Sequence, residues 1–390
     1  MRLGLFDYGT VTMSDPGLAG TPAVERRYGA ADFAAYYADL VQYARAAEAL
    51  GFDSFWLTEH HFQHEGYEVV PNVLLVSAVL AQHTERLRFG ALCNVIPQWH
   101  PLRFAEDFVM ADLLSGGRMI MGVGRGTVPR EIVNFGAVVS AATGGRMPPD
   151  DLDRHNRAQF EEGMAVIRAA LSQERFTFRG RFYRFPPEGC EDRGRPVHDL
   201  TLVPKLTRPF ADVEIWQPLG SDDTFRYAAA AGHKGVMYLG KTSGMRERWR
   251  WFGELCAAHG RDVGAGGHRM LVVNVHVADS TEQAVREMRD GHDEFYKLLA
   301  PYGATTHYVD PDGSRWAFGR MPALEDSMAQ GSFVVGSVEA VRDELGEVLQ
   351  ELQPEVLTVM LRFPGMGREE SLEQMRRFTT EVAAKLPAPA

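Results

Sequence analysis

The sequence predicts an α/β fold, a single (β/α)8 barrel with insertions that spans residues 1–390. Short apolar segments alternate with helical patterns along the whole chain, and eight such apolar segments occur. This alternation favours parallel strands connected by helices, and eight strands can close into a barrel. An open, doubly wound sheet is the competing arrangement of the same elements. Because the sequence carries neither an internal repeat nor a low-complexity linker, we predict one domain.

The predicted strands are short apolar runs, several of which are bounded by glycine or by polar residues. In chain order they are Leu3–Phe6, Phe52–Leu57, Leu87–Leu92, Met119–Val123, Val213–Gln217, Gly235–Leu239, Met270–Val277 and Val356–Leu361.

The predicted helices show apolar residues at helical spacing, and the first one stops at Gly51, a helix terminator. In chain order they are Phe33–Leu50, Pro71–Thr84 with a proline in its first turn, Pro101–Leu114, Arg157–Leu171, Asp222–Ala231, Arg246–His259, Thr281–Leu299, Ser337–Leu352 with Ser337 at its N-cap, and Ser371–Leu386.

Three insertions interrupt the alternation. A polar loop rich in glycine and proline runs from Thr127 to Asp153, and Arg175–Phe185 is predicted to form a hairpin that turns at Arg179-Gly180. A long irregular stretch, Pro301–Gln330, follows the helix after the seventh strand. Long loops inside a compact fold are usually lids or disordered segments, and the residues alone leave both open here.

Composition excludes several classes of protein. The net charge of -11 disfavours nonspecific binding to nucleic acid or to an anionic membrane, because such binding needs a basic surface. The three cysteines, Cys93, Cys190 and Cys256, show no CxxC spacing, which argues against a disulfide framework and a cysteine zinc site. The sequence shows neither a signal peptide nor an apolar run long enough to span a membrane. We therefore expect a cytoplasmic protein.

Four polar groups follow predicted strands, and the carboxyl ends of strands are where barrels of this kind carry their active sites. The first is Glu59-His60-His61-Phe62, after the second strand. Its imidazoles and carboxylate offer general acid/base chemistry or metal ligation. Adjacent histidines on an extended segment point to opposite sides, and the HExxH spacing of zinc proteases is absent. Hydrogen bonding across the loop is the structural alternative.

Two further groups suit a polar heterocyclic ligand with a phosphate. After the third strand, Asn94 offers a carboxamide for a heterocycle edge, whereas Cys93 lacks a neighbouring base and is interpreted as a packing residue. After the fourth strand, Gly122-Val123-Gly124-Arg125-Gly126 lets the backbone approach a ligand, and Arg125 can bind a phosphate. A glycine-rich turn with a surface arginine remains the alternative, since this is not a GxGxxG fingerprint.

The fourth group opens the helix after the fifth strand. Ser221 is placed to cap that helix, and Ser221 and Thr224 together with free backbone N–H groups can also hold a phosphate. Capping and phosphate binding are compatible, so the sequence leaves both open.

Taken together, these segments resemble the bacterial luciferase-like flavin monooxygenases over nearly the whole chain. The matching motifs occur in the family's order, with the C-terminal Gly365-Met366 and the last helix also in register. They are Gly51-Phe52-Asp53-Ser54-Phe55-Trp56-Leu57-Thr58-Glu59-His60-His61-Phe62, then Pro97-Gln98-Trp99-His100-Pro101-Leu102-Arg103-Phe104-Ala105-Glu106-Asp107, then Leu113-Leu114-Ser115-Gly116-Gly117-Arg118 and Gly122-Val123-Gly124-Arg125-Gly126.

The resemblance implies a (β/α)8 barrel that binds reduced FMN and assigns roles to residues. It makes His60 the catalytic residue beside the flavin, with Glu59 and His61 as supports, and it makes Pro301–Gln330 a mobile lid. It implies that residues ending the third strand run along the flavin ring, often through a cis peptide, and that others contact the FMN phosphate. These cofactor-binding residues are Leu92, Cys93, Asn94, Arg125, Gly220, Ser221 and Thr224.

Two positions depart from the light-emitting subunit of luciferase. Its reactive cysteine in the turn after the fourth strand corresponds to Gly124 here, and its acidic residue before Ser221 corresponds to Gly220. Light emission is therefore not implied, and the phosphate contacts are expected to differ in detail. No metal is expected.

The activity implied is that of an FMNH2-dependent two-component monooxygenase, supplied with FMNH2 by a separate flavin reductase. One oxygen atom of O2 would reach a small organic substrate through a flavin C4a-(hydro)peroxide, by hydroxylation, epoxidation or Baeyer–Villiger insertion. A homodimer is expected. A deazaflavin-dependent hydride-transfer oxidoreductase and a non-catalytic flavin-binding partner subunit remain as alternatives. The residues expected to line the substrate pocket are Phe6, Tyr8, Phe62, Trp216 and Tyr238.

Overall fold

The structure of the chain, a computed structural model, describes residues 1–126, 128–135, 150–264 and 266–386. Eight parallel strands form the central sheet, in the order β5-β6-β7-β8-β1-β2-β3-β4. A pairing between β4 and β5, with Ile215 opposite Met121, closes this sheet into a barrel. The strands are β1 (Arg2–Asp7), β2 (Ser54–Leu57), β3 (Arg88–Ala91), β4 (Met119–Gly124), β5 (Ile215–Pro218), β6 (Lys234–Tyr238), β7 (Arg269–Ala278) and β8 (Val356–Met360).

The eight strands are the eight apolar segments predicted from the sequence, so the predicted (β/α)8 barrel is confirmed and the open sheet is wrong. Helices surround the barrel and bury their apolar sides against it. They are α1 (Ala30–Ala49), α2 (Val73–Ala81), α3 (Pro101–Leu114), α4 (Pro129–Asn134), α5 (Asp150–Ser172), α6 (Asp222–Ala231), α7 (Thr242–Ala258), α8 (Thr281–Leu299), α9 (Leu324–Ala329), α10 (Val338–Leu352) and α11 (Arg368–Arg377), which a π-helical turn, Phe378–Val382, continues.

An additional parallel strand, Phe333–Ser337, pairs with the second half of β7, with Asn274 opposite Phe333. This strand is not among those predicted, because its sequence has only three consecutive apolar residues before Gly336, directly after the irregular stretch. Its pairing partner exists only because β7 is ten residues long and extends beyond the end of β6. The strand therefore depends on tertiary context.

Several predicted boundaries are wrong. Helix α2 begins at Val73, because the side chain of Asn72 caps it by accepting the Leu75 N–H at 2.9 Å, so Pro71 precedes the helix. The loop predicted over 127–153 contains α4 and the start of α5, and residues 136–149 lie outside the described part of the chain. The irregular stretch 301–330 contains α9. The hairpin is confirmed, with Phe178–Arg179 antiparallel to Arg184–Phe185.

Charged residues cluster at the amino ends of the strands. Arg2 bonds Glu214 at 3.0 Å, Lys234 bonds Glu355 at 2.6 Å, and Arg88 bonds Glu214 at 2.7 Å. These ion pairs link the amino ends of five strands, β1, β3, β5, β6 and β8. The active site is therefore expected at the opposite end, where loops follow the carboxyl ends of the strands. Within the described residues, no helix is long and apolar enough to cross a membrane.

Candidate active site

A cavity of about 560 Å³ lies at the carboxyl ends of the barrel strands. Its walls come from the loops after β2, β3, β4 and β5, covered by α8 and by the residues that follow it. Ten of the residues predicted to form the site line this one cavity: Phe6, Tyr8, His60, Leu92, Cys93, Arg125, Gly220, Ser221, Thr224 and Tyr238.

Two predicted site residues are buried elsewhere. Asn94 is 0% exposed, and its side-chain Nδ2 donates to the backbone carbonyl of Gly122 at 2.9 Å, so its carboxamide ties the segment after β3 to β4. Trp216 is 1% exposed inside the barrel, packs edge-on against Trp56 with ring centroids 6.4 Å apart, and donates its Nε1 proton to Glu214 at 3.1 Å. Neither Asn94 nor Trp216 lines the cavity, so the structure separates both from the site to which the sequence assigned them.

Phe62 also departs from the predicted substrate pocket. Its backbone takes a left-handed conformation with φ of 59°, and this turns the ring outwards, 52% exposed. The ring stacks on Phe135, with centroids 5.4 Å apart. A left-handed φ at a bulky residue is uncommon, and it is not visible in residue spacing.

The imidazole of His60 lies between two carboxylates at the end of β2. Its Nε2 atom is 2.9 Å from Glu68 and its Nδ1 atom is 2.9 Å from Glu131, and Gln63 donates to the same Glu131 oxygen at 3.0 Å. Burial alone lowers the pKa of His60, but the negative charge of Glu68 and the hydrogen bonds to both carboxylates outweigh it and raise the pKa to about 10. His60 is therefore an imidazolium at neutral pH.

The residues that contact the His60 imidazole are not Glu59 and His61, which we expected to support it. Glu59 accepts the Nε1 proton of Trp99 at 2.9 Å and lies 3.3 Å from His61, so this pair braces the loop after β2 rather than His60. The carboxylates that do contact His60 were missed. Glu68 sits in an irregular segment with φ of 48°, and Glu131 is 71 residues away on α4.

Basic and hydroxyl groups gather at the other end of the cavity. Arg125 binds Asp153 at 2.9 Å, and Arg157 lies 3.7 Å from the same carboxylate. Arg157 also reaches the Ser221 hydroxyl at 3.5 Å, and that hydroxyl lies 2.9 Å from the hydroxyl of Thr224. Arg157 was missed because nothing local distinguishes it from a surface arginine on the predicted helix.

The Ser221 side chain caps α6 by accepting the backbone N–H of Thr224 at 3.4 Å. The capping role predicted from the sequence is thus confirmed. The amino end of this ten-residue helix carries free N–H groups and the positive end of the helix dipole, which favours an anion beside Ser221. Two arginines, two hydroxyls and a helix terminus together form a donor set for a phosphate.

The wall between the two ends includes Leu92 and Cys93, which are joined by a cis peptide bond as the family resemblance implied. A Cβ atom added at Gly124 would overlap the Cys93 sulfur, so that sulfur fills the space that a side chain at position 124 would occupy. Burial, together with the charge of Glu59, raises the pKa of Cys93 to about 12. The thiol is therefore protonated and inert as a nucleophile at neutral pH.

Aromatic side chains cover the remaining wall. Tyr8 packs against Phe295 with ring centroids 5.0 Å apart. Burial and the nearby charge of Glu68 hold the pKa of Tyr8 well above its ordinary value, so its hydroxyl stays protonated. Across the described residues, no group of three or more histidine, cysteine or acidic side chains is arranged to hold a metal ion.

A model of the luciferase-like monooxygenase family matches residues 7–355 of the chain. The 4-hydroxyprotoasukamycin monooxygenase of Streptomyces nodosus subsp. asukaensis is 27% identical over 315 residues, which cover 79% of this chain and 76% of that protein. The F420-dependent glucose-6-phosphate dehydrogenase of Amycolatopsis mediterranei is 29% identical over 206 residues, which cover 52% of this chain and 54% of that protein. The chain spans about half the length of y4wF, an uncharacterized protein of Sinorhizobium fredii that is 31% identical over 198 residues (50% of this chain, 49% of that protein).

Among solved structures, the oxygenating constituent of 3,6-diketocamphane monooxygenase from Pseudomonas putida, a type II Baeyer–Villiger monooxygenase in complex with FMN, superposes with a TM-score of 0.72. It is 19% identical and covers 100% of this chain and 99% of that chain. At this identity the likeness supports the fold alone.

Proposed function

Because the chain belongs to the luciferase-like monooxygenase family, we propose that it is the oxygenating component of an FMNH2-dependent two-component monooxygenase. In this proposal a separate flavin reductase supplies FMNH2, and one oxygen atom of O2 is inserted into a small organic substrate. The single observation that carries the proposal is that one cavity joins a phosphate-type donor set at Arg125 and Ser221 to the charged His60.

FMN fits the residues of this cavity. Arg125, Ser221 and Thr224 line the cavity, and Arg157 stands beside them in contact with Ser221. Guanidinium groups and hydroxyls donate to phosphate oxygens, so this donor set matches a phosphate monoester. Asp153 contacts both arginines and holds their guanidinium groups near each other. The apolar wall formed by Leu92 and its neighbours suits a flat ring system.

Reduced flavin, when bound, supplies the two electrons that activate dioxygen. The protein's own contributions are binding, orientation and proton control. Arg125 and Arg157 would fix the phosphate and thereby the position of the ring along the cavity. His60 holds a proton on each ring nitrogen and stands at the cavity wall with Glu68, where it can donate a proton to the reactants.

Exclusion of water would come from the covering residues. From the stretch that the family resemblance makes a lid, Ala304 and His307 line the cavity. Phe295, Leu299 and Met360 line the cavity beneath it, so the substrate end is mainly apolar and aromatic. A dry, apolar pocket of this kind suits a small organic substrate and protects reactive oxygen species from water.

A homodimer is part of the proposal. Helices α2 and α3 pack side by side and present large apolar side chains to solvent: Leu75 is 65% exposed, Val79 50%, Met110 49% and Leu114 60%. A contiguous apolar face on a pair of helices is typical of an interface. A second copy of this chain, with the same face, is the partner that we propose.

Anaerobic titration with reduced FMN and with a reduced deazaflavin, followed by exposure to ¹⁸O-labelled O2 and a panel of small organic compounds, tests the function. We expect tighter binding of reduced FMN and labelled oxygen in a product. Preference for the deazaflavin, with hydride transfer and no oxygen incorporation, would replace the proposal by the deazaflavin-dependent oxidoreductase. Binding of FMN with no labelled oxygen in any product would instead favour a partner subunit without its own catalysis. Unchanged turnover in the His60→Ala variant would remove the catalytic role of His60.

A further inference from the structure

A chain of buried hydrogen-bonding side chains leads away from the cavity through α8 and α9. Tyr296 lines the cavity, and its hydroxyl lies 2.6 Å from that of Tyr308. Tyr308 donates to Ser327 at 3.2 Å, and the Ser327 hydroxyl lies 2.8 Å from Nε2 of His292. The Nδ1 atom of His292 lies 2.9 Å from Asp293. Each link is within hydrogen-bond distance.

The middle members of this hydrogen-bonded series are shielded from solvent, whereas the last member is not. Tyr308, Ser327 and His292 are 0% exposed, whereas the side chain of Asp293 is 12% exposed. The chain therefore starts at the cavity wall and ends at a carboxylate that reaches solvent. Among the described residues, Ser332 forms a branch from the cavity, since its hydroxyl contacts that of Tyr308 and donates to the Ser327 carbonyl at 3.1 Å.

The O–H and N–H donors of this series can all point from Tyr296 towards Asp293. When Nδ1–H of His292 donates to the Asp293 carboxylate, Nε2 is left as an acceptor for the Ser327 hydroxyl. Ser327 in turn accepts from Tyr308, and Tyr308 can accept from Tyr296. Burial and the adjacent Tyr308 raise the pKa of Tyr296, so its hydroxyl remains protonated. Tyr296, Tyr308, Ser327 and His292 can each donate and accept, and Asp293 can donate once it is protonated, so the direction of the hydrogen bonds can reverse.

We propose that Tyr296, Tyr308, Ser327, His292 and Asp293 form a proton relay between the cavity and solvent. When a proton is consumed in the cavity, Tyr296 releases its hydroxyl proton and takes one from Tyr308, which takes one from Ser327. Inward transfer starts from the reversed set of hydrogen bonds, in which His292 carries its proton on Nε2. Ser327 takes this Nε2 proton while Nδ1 takes the proton of a protonated Asp293, which then takes one from solvent. Each hop breaks one O–H or N–H bond and forms another, so no charge is left inside the chain.

The relay rests on the proposed function for its purpose, because transfer of two electrons from an anionic reduced flavin to dioxygen, giving hydrogen peroxide, consumes a proton from outside the cofactor. Its geometry is independent of that function. A cavity shielded from water needs some route for that proton. The Ser327–His292–Asp293 arrangement is too buried to act as a nucleophilic triad.

Ser327→Ala cuts the relay in the middle. With reduced FMN bound and no organic substrate, we expect the rate of peroxide formation to fall about tenfold and to become dependent on the concentration of a small buffer such as imidazole, which can carry protons directly. The matched control is Thr305→Ala, which removes another 0% exposed hydroxyl of the same region that donates to the Arg320 carbonyl at 2.8 Å. Its rate should stay independent of buffer concentration.

A second measurement needs no flavin. In ¹⁵N-histidine-labelled protein, Ser327→Ala should shift the Nε2 resonance of His292, because the hydrogen bond to that atom is lost, whereas Thr305→Ala should leave it in place.

Tyr296→Phe, which removes the hydroxyl at the cavity end of the relay, should reproduce the buffer-dependent rate if Ser327→Ala fails to fold. A buffer-independent rate in the folded relay variants, or an unshifted His292 resonance, would overturn the relay. Failure of reduced FMN to bind the unmodified protein would count against the proposed function instead, and the His292 resonance would still decide whether the chain exists.

Discussion

The Nε2 atom of His60 lies 2.9 Å from a carboxylate oxygen of Glu68. Since the Nδ1 atom lies 2.9 Å from Glu131, both ring nitrogens donate and the ring carries a positive charge. In this state His60 has a proton to give and no free nitrogen to accept one. The histidine that the sequence marked as a general acid/base candidate is thereby restricted to the role of an acid.

Glu68→Gln should lower the pKa of His60. Burial opposes the charged ring, and the charge of Glu68 is the largest of the effects that raise the pKa to about 10. Loss of this charge should lower the titration midpoint by at least about 2 units, as measured by NMR of ¹⁵N-histidine-labelled protein. Glu65→Gln is the control, because Glu65 bonds Arg130 at 2.8 Å rather than the imidazole. An equal shift in both variants would contradict the assignment.

The contribution of His60 to the free energy of unfolding should fall as the pH rises. Because the pKa of His60 in the folded protein, about 10, exceeds the ordinary value of 6.5, its stabilising contribution is complete below about pH 6.5 and is lost as the pH rises through about 10. The advantage of the unmodified protein over His60→Gln in urea unfolding should therefore shrink across this window, by up to about 1.4 kcal/mol per pH unit. An advantage that grows with pH would contradict the imidazolium.

Arg157→Ala should weaken FMN binding roughly ten- to hundredfold, because it removes one of the two guanidinium groups at the proposed phosphate site. Riboflavin, which lacks the phosphate, is the control ligand and should bind the variant as it binds the unmodified protein. Arg125→Ala should behave in the same way. Calorimetric titration of both ligands measures the difference, and an equal loss for riboflavin would mean that the arginines act on the fold rather than on the phosphate.

Gly124→Ala should strain the cavity wall, since the new Cβ atom would overlap the Cys93 sulfur. We expect a loss of about 1–3 kcal/mol in the free energy of unfolding, typical of an overpacked site. Adding Cys93→Ala should recover much of this loss because the sulfur is gone. A double-mutant cycle by urea unfolding measures this coupling, and strictly additive losses would show that the two positions do not compete for space.

Leu75→Asp should convert the proposed dimer to a monomer. Leu75 is 65% exposed on α2 and belongs to the apolar face shared with α3, so a charge there would be buried in the interface. Leu18→Asp, at a similarly exposed leucine (66%) in the loop after β1, is the control. Light scattering after size-exclusion chromatography gives the mass of each variant, and a monomeric unmodified protein would remove the homodimer from the proposal.

Sequence reasoning succeeded where the physics is local. The alternation of apolar runs with helical spacing fixes which segments become strands and helices, so all eight barrel strands were predicted. Ser221 caps α6 through a hydrogen bond three residues away, a distance over which residue type alone is informative. The position of His60 directly after β2 likewise follows from local order along the chain.

Only the tertiary structure decided what these residues touch. Glu131 reaches His60 across 71 residues, and Arg157 joins Ser221 across 64, because closure of the barrel brings successive loops together. The left-handed backbone of Phe62 turns its ring away from the cavity, and the extended β7 creates the partner for Phe333–Ser337. Local propensity thus determined the elements and the end of the barrel that carries the site, while contacts distant in sequence determined the charge and the roles of its residues.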